Sequence, residues 1–232
     1  VKRILENRQY QNHLEEMVAS QVAEMTRMQD EVITGIANLI ESRDGSTGLH
    51  VKNTQNYVQI LTKALREKGM YPDILDHNYE LNTVKASVLH DIGKIKTPDA
   101  ILLKPGRLTD EEFEVMKQHT VAGCEIIDRI IGNVEHEEYV DIARKIARYH
   151  HERWDGTGYP DGLSGEEISL CARIMALADV FDALYQDRCY KKAIRPASKV
   201  FEIIKENSGS QFDPNLTEIF LELQREITDI SE

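Results

Sequence analysis

Three features of the sequence predict an all-α fold. Apolar residues recur at three- and four-residue spacing along most of the chain. No segment sustains the period-two alternation that marks a strand. Helix punctuation is frequent, with a Thr109…Glu112 capping box, Gly69 and Gly132 closing apolar runs, and Pro196 and Pro214 opening new ones.

Taken in order, the first ~40 residues contain no Pro and no Gly before Gly35, and are rich in Glu, Gln, Met and Ala, so one long helix is expected. Ile4, Gln11, Val18, Met25 and Val32 share one heptad position, and Asn7, Leu14, Gln21, Met28 and Gly35 its partner, a usable coiled-coil seam. Ser42 to Gly48 breaks this helix, and a second runs from Leu49 to Lys68. Leu81 to Leu89 is expected to be helical and to deliver His90-Asp91. A short piece, Ala100 to Leu103, precedes helices over Asp110 to Gln118 and Val121 to Ile131, then Glu138 to Tyr149. His151 to Gly165 is a long irregular loop, and such loops in compact domains often carry function. Ser169 to Tyr185 is strongly apolar and helical. Pro196 starts another helix, and Pro214 starts the last, with Asp213 as N-cap. The domain reading is 1–31 as a helical linker and 32–232 as the globular domain.

The 232 residues are 41% hydrophobic and 29% charged, enough for one sizeable domain and an appendage. No apolar run reaches the ~18–20 residues of a membrane span, and no signal peptide is visible. The chain opens at Val1, which points to a fragment of something longer. Cys124, Cys171 and Cys189 form no C-x-x-C pair, as expected of thiols in a reducing, cytoplasmic setting. The net charge of −12 and the lack of a basic stripe exclude a duplex nucleic-acid binder. A small phosphorylated ligand stays open, because bound cations can outweigh the global sign locally.

Chemistry concentrates in the histidines. His50, His90, His119, His150 and His151 lie beside apolar helical stretches, whereas His13, His77 and His136 sit among polar residues. A lone His is more often a satisfied core or surface group than a ligand; the combination carries the signal. His90-Asp91 offers one ion an imidazole and a carboxylate, and the second carboxylate oxygen can reach another ion. Asp179 and Asp182 stand three residues apart in an apolar helix, on one face.

The order His50, His90-Asp91, Asp179 resembles the H…HD…D pattern of the HD superfamily of metal-dependent phosphohydrolases. A narrower match is His150-His151-Glu152-Arg153-Trp154-Asp155-Gly156-Thr157-Gly158-Tyr159-Pro160. It resembles the HHExxDGxGYP signature of the HD-GYP family, bacterial cyclic-di-GMP phosphodiesterases. His90-Asp91-x-Gly93-Lys94, Thr47-Gly48-x-His50 and Asp187-Arg188-x-Tyr190-Lys191-Lys192 extend the likeness from about Val32 to the last helix. It implies an HD-type helical bundle behind the linker helix. Where the fullest family pattern has an acidic residue that can ligate a third metal, four positions before the first His, this chain has Ser46. Two ions rather than three are therefore expected.

The resemblance implies hydrolysis of cyclic-di-GMP to pGpG, and onward to GMP, through a hydroxide held by two divalent ions. A bound divalent ion can lower the pKa of water from about 15.7 towards ~7. His50, His90, Asp91 and Asp179 are assigned to one ion, and Asp91, His119, His150 and His151 to the other, with Asp91 bridging. Imidazole and carboxylate without thiolate suits Fe or Mn, with Zn, Co and Ni compatible. Lys94, Arg188 and Lys191 match family positions that contact substrate phosphates. Tyr159 is a candidate to stack on a base, and Lys94 or Asp182 to protonate the leaving oxygen. Related cyclic dinucleotides would present similar phosphates to the same ions. The competing reading is a catalytically weak or inactive cyclic-dinucleotide sensor, kept open by Ser46. A hydrolase of nucleotide monophosphates or dNTPs would account for H…HD…D but not for the paired His or the Gly-Tyr-Pro loop. The long N-terminal helix implies a homodimer and an upstream input or receiver domain.

Overall fold

A computed structural model describes residues 2–44, 49–132, 137–186 and 193–231, among which lie ten α-helices and no strand. The chain divides into two compact units, Val1–Ile36 and Ala37–Glu232. Helix α1 (Lys2–Glu41) makes up the first unit, where Val18, Val22, Met25, Met28 and Val32 are all exposed. Its last turn belongs to the second unit.

The second unit continues with α2 (His50–Glu67), α3 (His77–Ala86), α4 (Asp99–Leu102), α5 (Asp110–Ile131) and α6 (Glu137–Tyr149). It closes with α7 (Leu170–Tyr185), α8 (Ala197–Glu206), α9 (Pro214–Glu222) and α10 (Gln224–Ser231). Local chemistry starts several of these. Asp76 caps α3 by accepting from the Tyr79 N–H at 2.7 Å. Thr109 and Glu112 form the expected capping box at α5. Asp213 accepts from the Asn215 and Leu216 amides at the start of α9.

Helix α7 is the buried axis, and its apolar sequence reflects contact on every side. Phe181 meets Tyr57 of α2 at 5.1 Å between ring centroids, Phe201 of α8 at 5.0 Å and Phe220 of α9 at 5.6 Å. Such aromatic pairs add about 0.5–1.5 kcal/mol each beyond area burial. Their effect here is to hold the middle of α2 against α7. Helix α5 packs on α6 and on the 3₁₀ turn Ile92–Lys96.

Three element boundaries differ from the sequence expectation. Asp110–Ile131 is one helix, not two. The polar Lys117-Gln118-His119-Thr120 stretch is compatible with a break, but it contains no Gly or Pro. Thr120 instead satisfies its hydroxyl on the Lys117 carbonyl at 2.9 Å. The helix expected from Leu81 starts earlier, at His77, and tightens after Ala86 into the 3₁₀ turn Ser87–Leu89. Pro214 opens the penultimate helix, since α10 follows it.

The irregular loop after α6 is firmly held. Glu152, 3% exposed, accepts from the backbone N–H groups of Asp161, Gly162 and Leu163 at 2.7, 3.1 and 3.1 Å. The Trp154 and Asp155 amides donate to the Gln211 and Ser210 carbonyls. Among the described residues no helix is long and apolar enough to cross a membrane.

Candidate metal centre

Five segments meet at one buried point. His50 opens α2, His90 and Asp91 sit between two 3₁₀ turns, His119 lies in mid-α5, His150 and His151 follow the end of α6, and Asp179 projects from α7. The structure brings all seven together in two adjacent clusters: Asp91 with His119, His150 and His151, and His50 with His90 and Asp179. Within each, the donor atoms lie within 4.8 Å of one another. Asp91 stands between them. Its Oδ1 lies 3.2 Å from His119 Nε2 and 3.7 Å from His150 Nε2, and its Oδ2 lies 3.3 Å from His90 Nε2.

The imidazoles are oriented from behind. Nδ1 of His90 bonds the Ser87 carbonyl at 2.9 Å, Nδ1 of His119 that of Met116 at 2.7 Å, and Nδ1 of His150 that of Ile146 at 2.9 Å. A carbonyl only accepts, so each Nδ1 carries a proton and Nε2 is the ring position that faces inward for a ligand. For His50 the same task falls to Asp182, whose Oδ2 is 2.6 Å from Nδ1 and whose Oδ1 accepts from Asn53 Nδ2 at 3.2 Å. The Nε2 atoms of His50, His90, His119 and His150 are buried and make no hydrogen bond. A buried polar atom without a partner is costly. Four of them gathered on the carboxylates of Asp91 and Asp179 fit a metal centre, and imidazole with carboxylate is a donor set for borderline to hard divalent ions.

Electrostatics point the same way. Burial would raise the Asp91 carboxyl, but Lys94 and His90 outweigh it and hold the group well below the usual range. Burial likewise opposes ionisation of Asp179, and His50 and His90 overcome it. Burial disfavours charge on His90, yet Asp91 lifts that imidazole to about 9, so its Nε2 proton faces the Asp91 carboxylate until a bound ion would displace it. Burial depresses His150 and His151, which stay neutral and available as donors.

The centre opens on a cavity of about 430 Å³. Its lining combines Asp91, Lys94, His119, His151, Tyr159 and Asp179 with the apolar Ile101, Leu102, Leu108 and Met116. Lys94 Nζ is 2.7 Å from Asp91 Oδ2. The Tyr159 ring lies 4.9 Å from that of His151, and its phenol is pushed upward by burial and then by Asp91 and Asp179, so it keeps its proton. Asp182, expected at the substrate, is 1% exposed with both oxygens engaged, so it faces His50 instead of the cavity. Arg188, Lys191 and Ser46 lie outside the described residues.

Glu41 is a functional candidate that sequence reasoning missed. It is 1% exposed, with Oε1 3.8 Å from His50 Nε2 and Oε2 3.5 Å from Lys94 Nζ. An acid at the end of a polar helix carries no local mark of burial.

Asp182→Asn is expected to weaken metal binding about 10-fold, because the charge that makes His50 a better donor is removed while the shape is kept. Metal titration of the folded variant checks this.

In this helical domain five imidazoles and the carboxylate of Asp179 gather around Asp91, in the H…HD…D order of an HD domain. The HD domain family model matches residues 12–216, and the chain belongs to that family, in its HD-GYP branch. The chain is 44% identical over 211 residues to a cyclic di-GMP phosphodiesterase of Vibrio cholerae, covering 90% of this chain and 42% of the relative. It is 36% identical over 209 residues to a cyclic di-GMP phosphodiesterase response regulator of Xanthomonas campestris, covering 90% and 51%. A crystal structure of a cyclic GMP-AMP specific phosphodiesterase of Vibrio cholerae shares the fold, with a TM-score of 0.57 at 18% identity over 85% of this chain and 50% of that one. The chain spans about half the length of the curated relatives it matches.

Proposed function

We propose that this chain hydrolyses cyclic-di-GMP to the linear dinucleotide pGpG, using two divalent ions, iron or manganese, bound at His50, His90, Asp91, His119, His150, His151 and Asp179. The observation that carries the reading is the set of four buried Nε2 atoms without a hydrogen-bond partner, three facing Asp91 and that of His50 facing Asp179, at a cavity whose wall includes Lys94. Relatives named as cyclic di-GMP phosphodiesterases support the substrate class. Ions bound there would supply an activated water and positive charge facing a phosphodiester.

The chain's own groups divide the remaining tasks. Asp91 presents one oxygen to each group of imidazoles and so sets the spacing of the centre. Lys94 places an ammonium where a phosphate oxygen would enter, and Tyr159 offers a protonated phenol and a ring face at the cavity wall. Asp182 acts as a positioning residue for His50. Arg188 and Lys191 complete the phosphate contacts in this reading.

Anaerobically purified, Mn-loaded or Fe-loaded protein should convert cyclic-di-GMP to linear product, and chelation should abolish this. Tight binding without turnover under both metals would identify a sensor instead. Faster turnover of cyclic GMP-AMP than of cyclic-di-GMP would reassign the substrate while keeping the metal chemistry.

The exposed apolar residues of α1 support a parallel coiled-coil dimer that joins an upstream receiver or other input domain to this one. The likeness to a response regulator supports the same arrangement. Cys124 and Cys171 are free thiols, in keeping with a cytoplasmic setting. Removing residues 1–30 is expected to convert the dimer to a monomer in sedimentation experiments. A dimer that survives the deletion refutes the coiled-coil role.

A further inference from the structure

We propose that Glu41 is an additional ligand of the ion held at His50, a proposal that rests on the metal-centre reading above. Glu41 is the last residue of α1 and is 1% exposed. Glutamates are almost never fully buried unless paired. Lys94 supplies part of that pairing, with Nζ 3.5 Å from Glu41 Oε2, but the same ammonium is closer to Asp91, at 2.7 Å. One cation is thus shared between two buried carboxylates.

The other Glu41 oxygen points at the metal centre. Oε1 is 3.8 Å from His50 Nε2, comparable to the 3.5 Å that separates Asp179 Oδ1 from the same nitrogen. Two donors bound to one ion at about 2.0–2.2 Å each lie roughly 3–4 Å apart, so Glu41 stands at ligand spacing from His50 just as Asp179 does. Glu41, His50 and Asp91 also present donor atoms within 4.8 Å of one another. Nδ1 of His50 is taken by Asp182, leaving Nε2 as the one lone pair of that ring. A single lone pair holds a single ion. Glu41 therefore joins the His50 ion and does not found a separate third site.

The position of Glu41 is enforced by its neighbour Arg43. Its guanidinium donates to the carbonyls of Lys94 and Ile95 at 3.2 Å each and of Thr97 at 3.3 Å, and to Asp99 at 2.6 Å. These bonds fasten the end of α1 to the segment that follows Asp91, so Glu41 is presented to the centre from a fixed backbone. A third carboxylate makes the donor set harder, which favours manganese or iron over zinc. It also lowers the net charge of two ions and their ligands from +2 to +1, with Lys94 as the nearby cation.

The test counts ions on the full chain. Wild type, Glu41→Gln and Glu41→Asp are stripped with chelator and titrated anaerobically with Mn²⁺, and bound metal is read by elemental analysis and by Mn electron paramagnetic resonance. Circular dichroism confirms the helical content of each variant. Wild type should hold two ions, and both variants should keep one at wild-type affinity while the other weakens by about 10- to 100-fold. Glu41→Asp keeps a charge that the flexible Lys94 can follow, so weakening in that variant separates ligation from loss of the ion pair. Two ions bound as in wild type by both variants, or both ions lost together, overturns the proposal. Wild type that binds no Mn²⁺ overturns the metal-centre reading itself.

Discussion

Asp91→Asn is expected to lower turnover by on the order of 10³-fold or more, and to reduce bound metal in parallel. Removal of one group aimed at developing charge in an active site already costs about 10²–10³-fold. Asp91 does more, because its two oxygens face different imidazole groups, at 3.2 Å from His119 and 3.3 Å from His90. The amide keeps the size of the carboxylate but loses its charge, and it turns an NH₂ towards one set of Nε2 atoms and so cannot bridge. Lys94, at 2.7 Å from Asp91, loses its nearest counter-charge as well. Elemental analysis and the rate of linear-dinucleotide formation read the two effects separately. Retention of both ions together with turnover within tenfold of wild type would remove Asp91 from its bridging role.

Gly93→Ala is expected to cost about 3 kcal/mol of stability or more, at the upper end of what overpacking inflicts on a core. A Cβ at Gly93 would lie 1.8 Å from the His119 carbonyl oxygen and 2.6 Å from the Gly123 amide nitrogen. Both are backbone atoms inside α5, so no side chain can turn aside to make room. At this size a loss of 3 kcal/mol lowers the melting temperature by roughly 6–12 °C. The displacement falls between Asp91 and His119, so metal affinity should fall even in the fraction that stays folded. Calorimetry with and without metal measures both; an unchanged melting temperature would mean that the Ile92–Lys96 turn does not pack this closely on α5.

The all-α class and most helix starts were legible because their causes are local. A capping box, an N-terminal Asp and a Pro act within three or four residues, and the chain shows them at Thr109, Asp213 and Pro214. The break expected near His119 was misplaced for a related reason. Polar residues in mid-helix look like a boundary when what they contribute is one inward-facing His, whose Nδ1 bonds Met116 one turn back. Asp179 and Asp182 could be put on one helical face from spacing alone. Which acid faces the inward Nε2 of His50 and which holds its Nδ1 depends on where α2 lands against α7, where Phe181 and Tyr57 are in contact.

The donor types and their local presentation were written into short stretches of chain: adjacent His90-Asp91, paired His150-His151, and a glycine-rich loop behind them. Tertiary packing is what makes five segments converge, turns Asp182 away from the cavity to hold His50, and brings Glu41 to 3.8 Å from His50. The physical reason is range. Capping and helix periodicity are set by backbone hydrogen bonds a turn apart, whereas the approach of Glu41 to His50, or of Gly93 to His119, is set by how whole helices pack. No pattern within a few residues reports that packing.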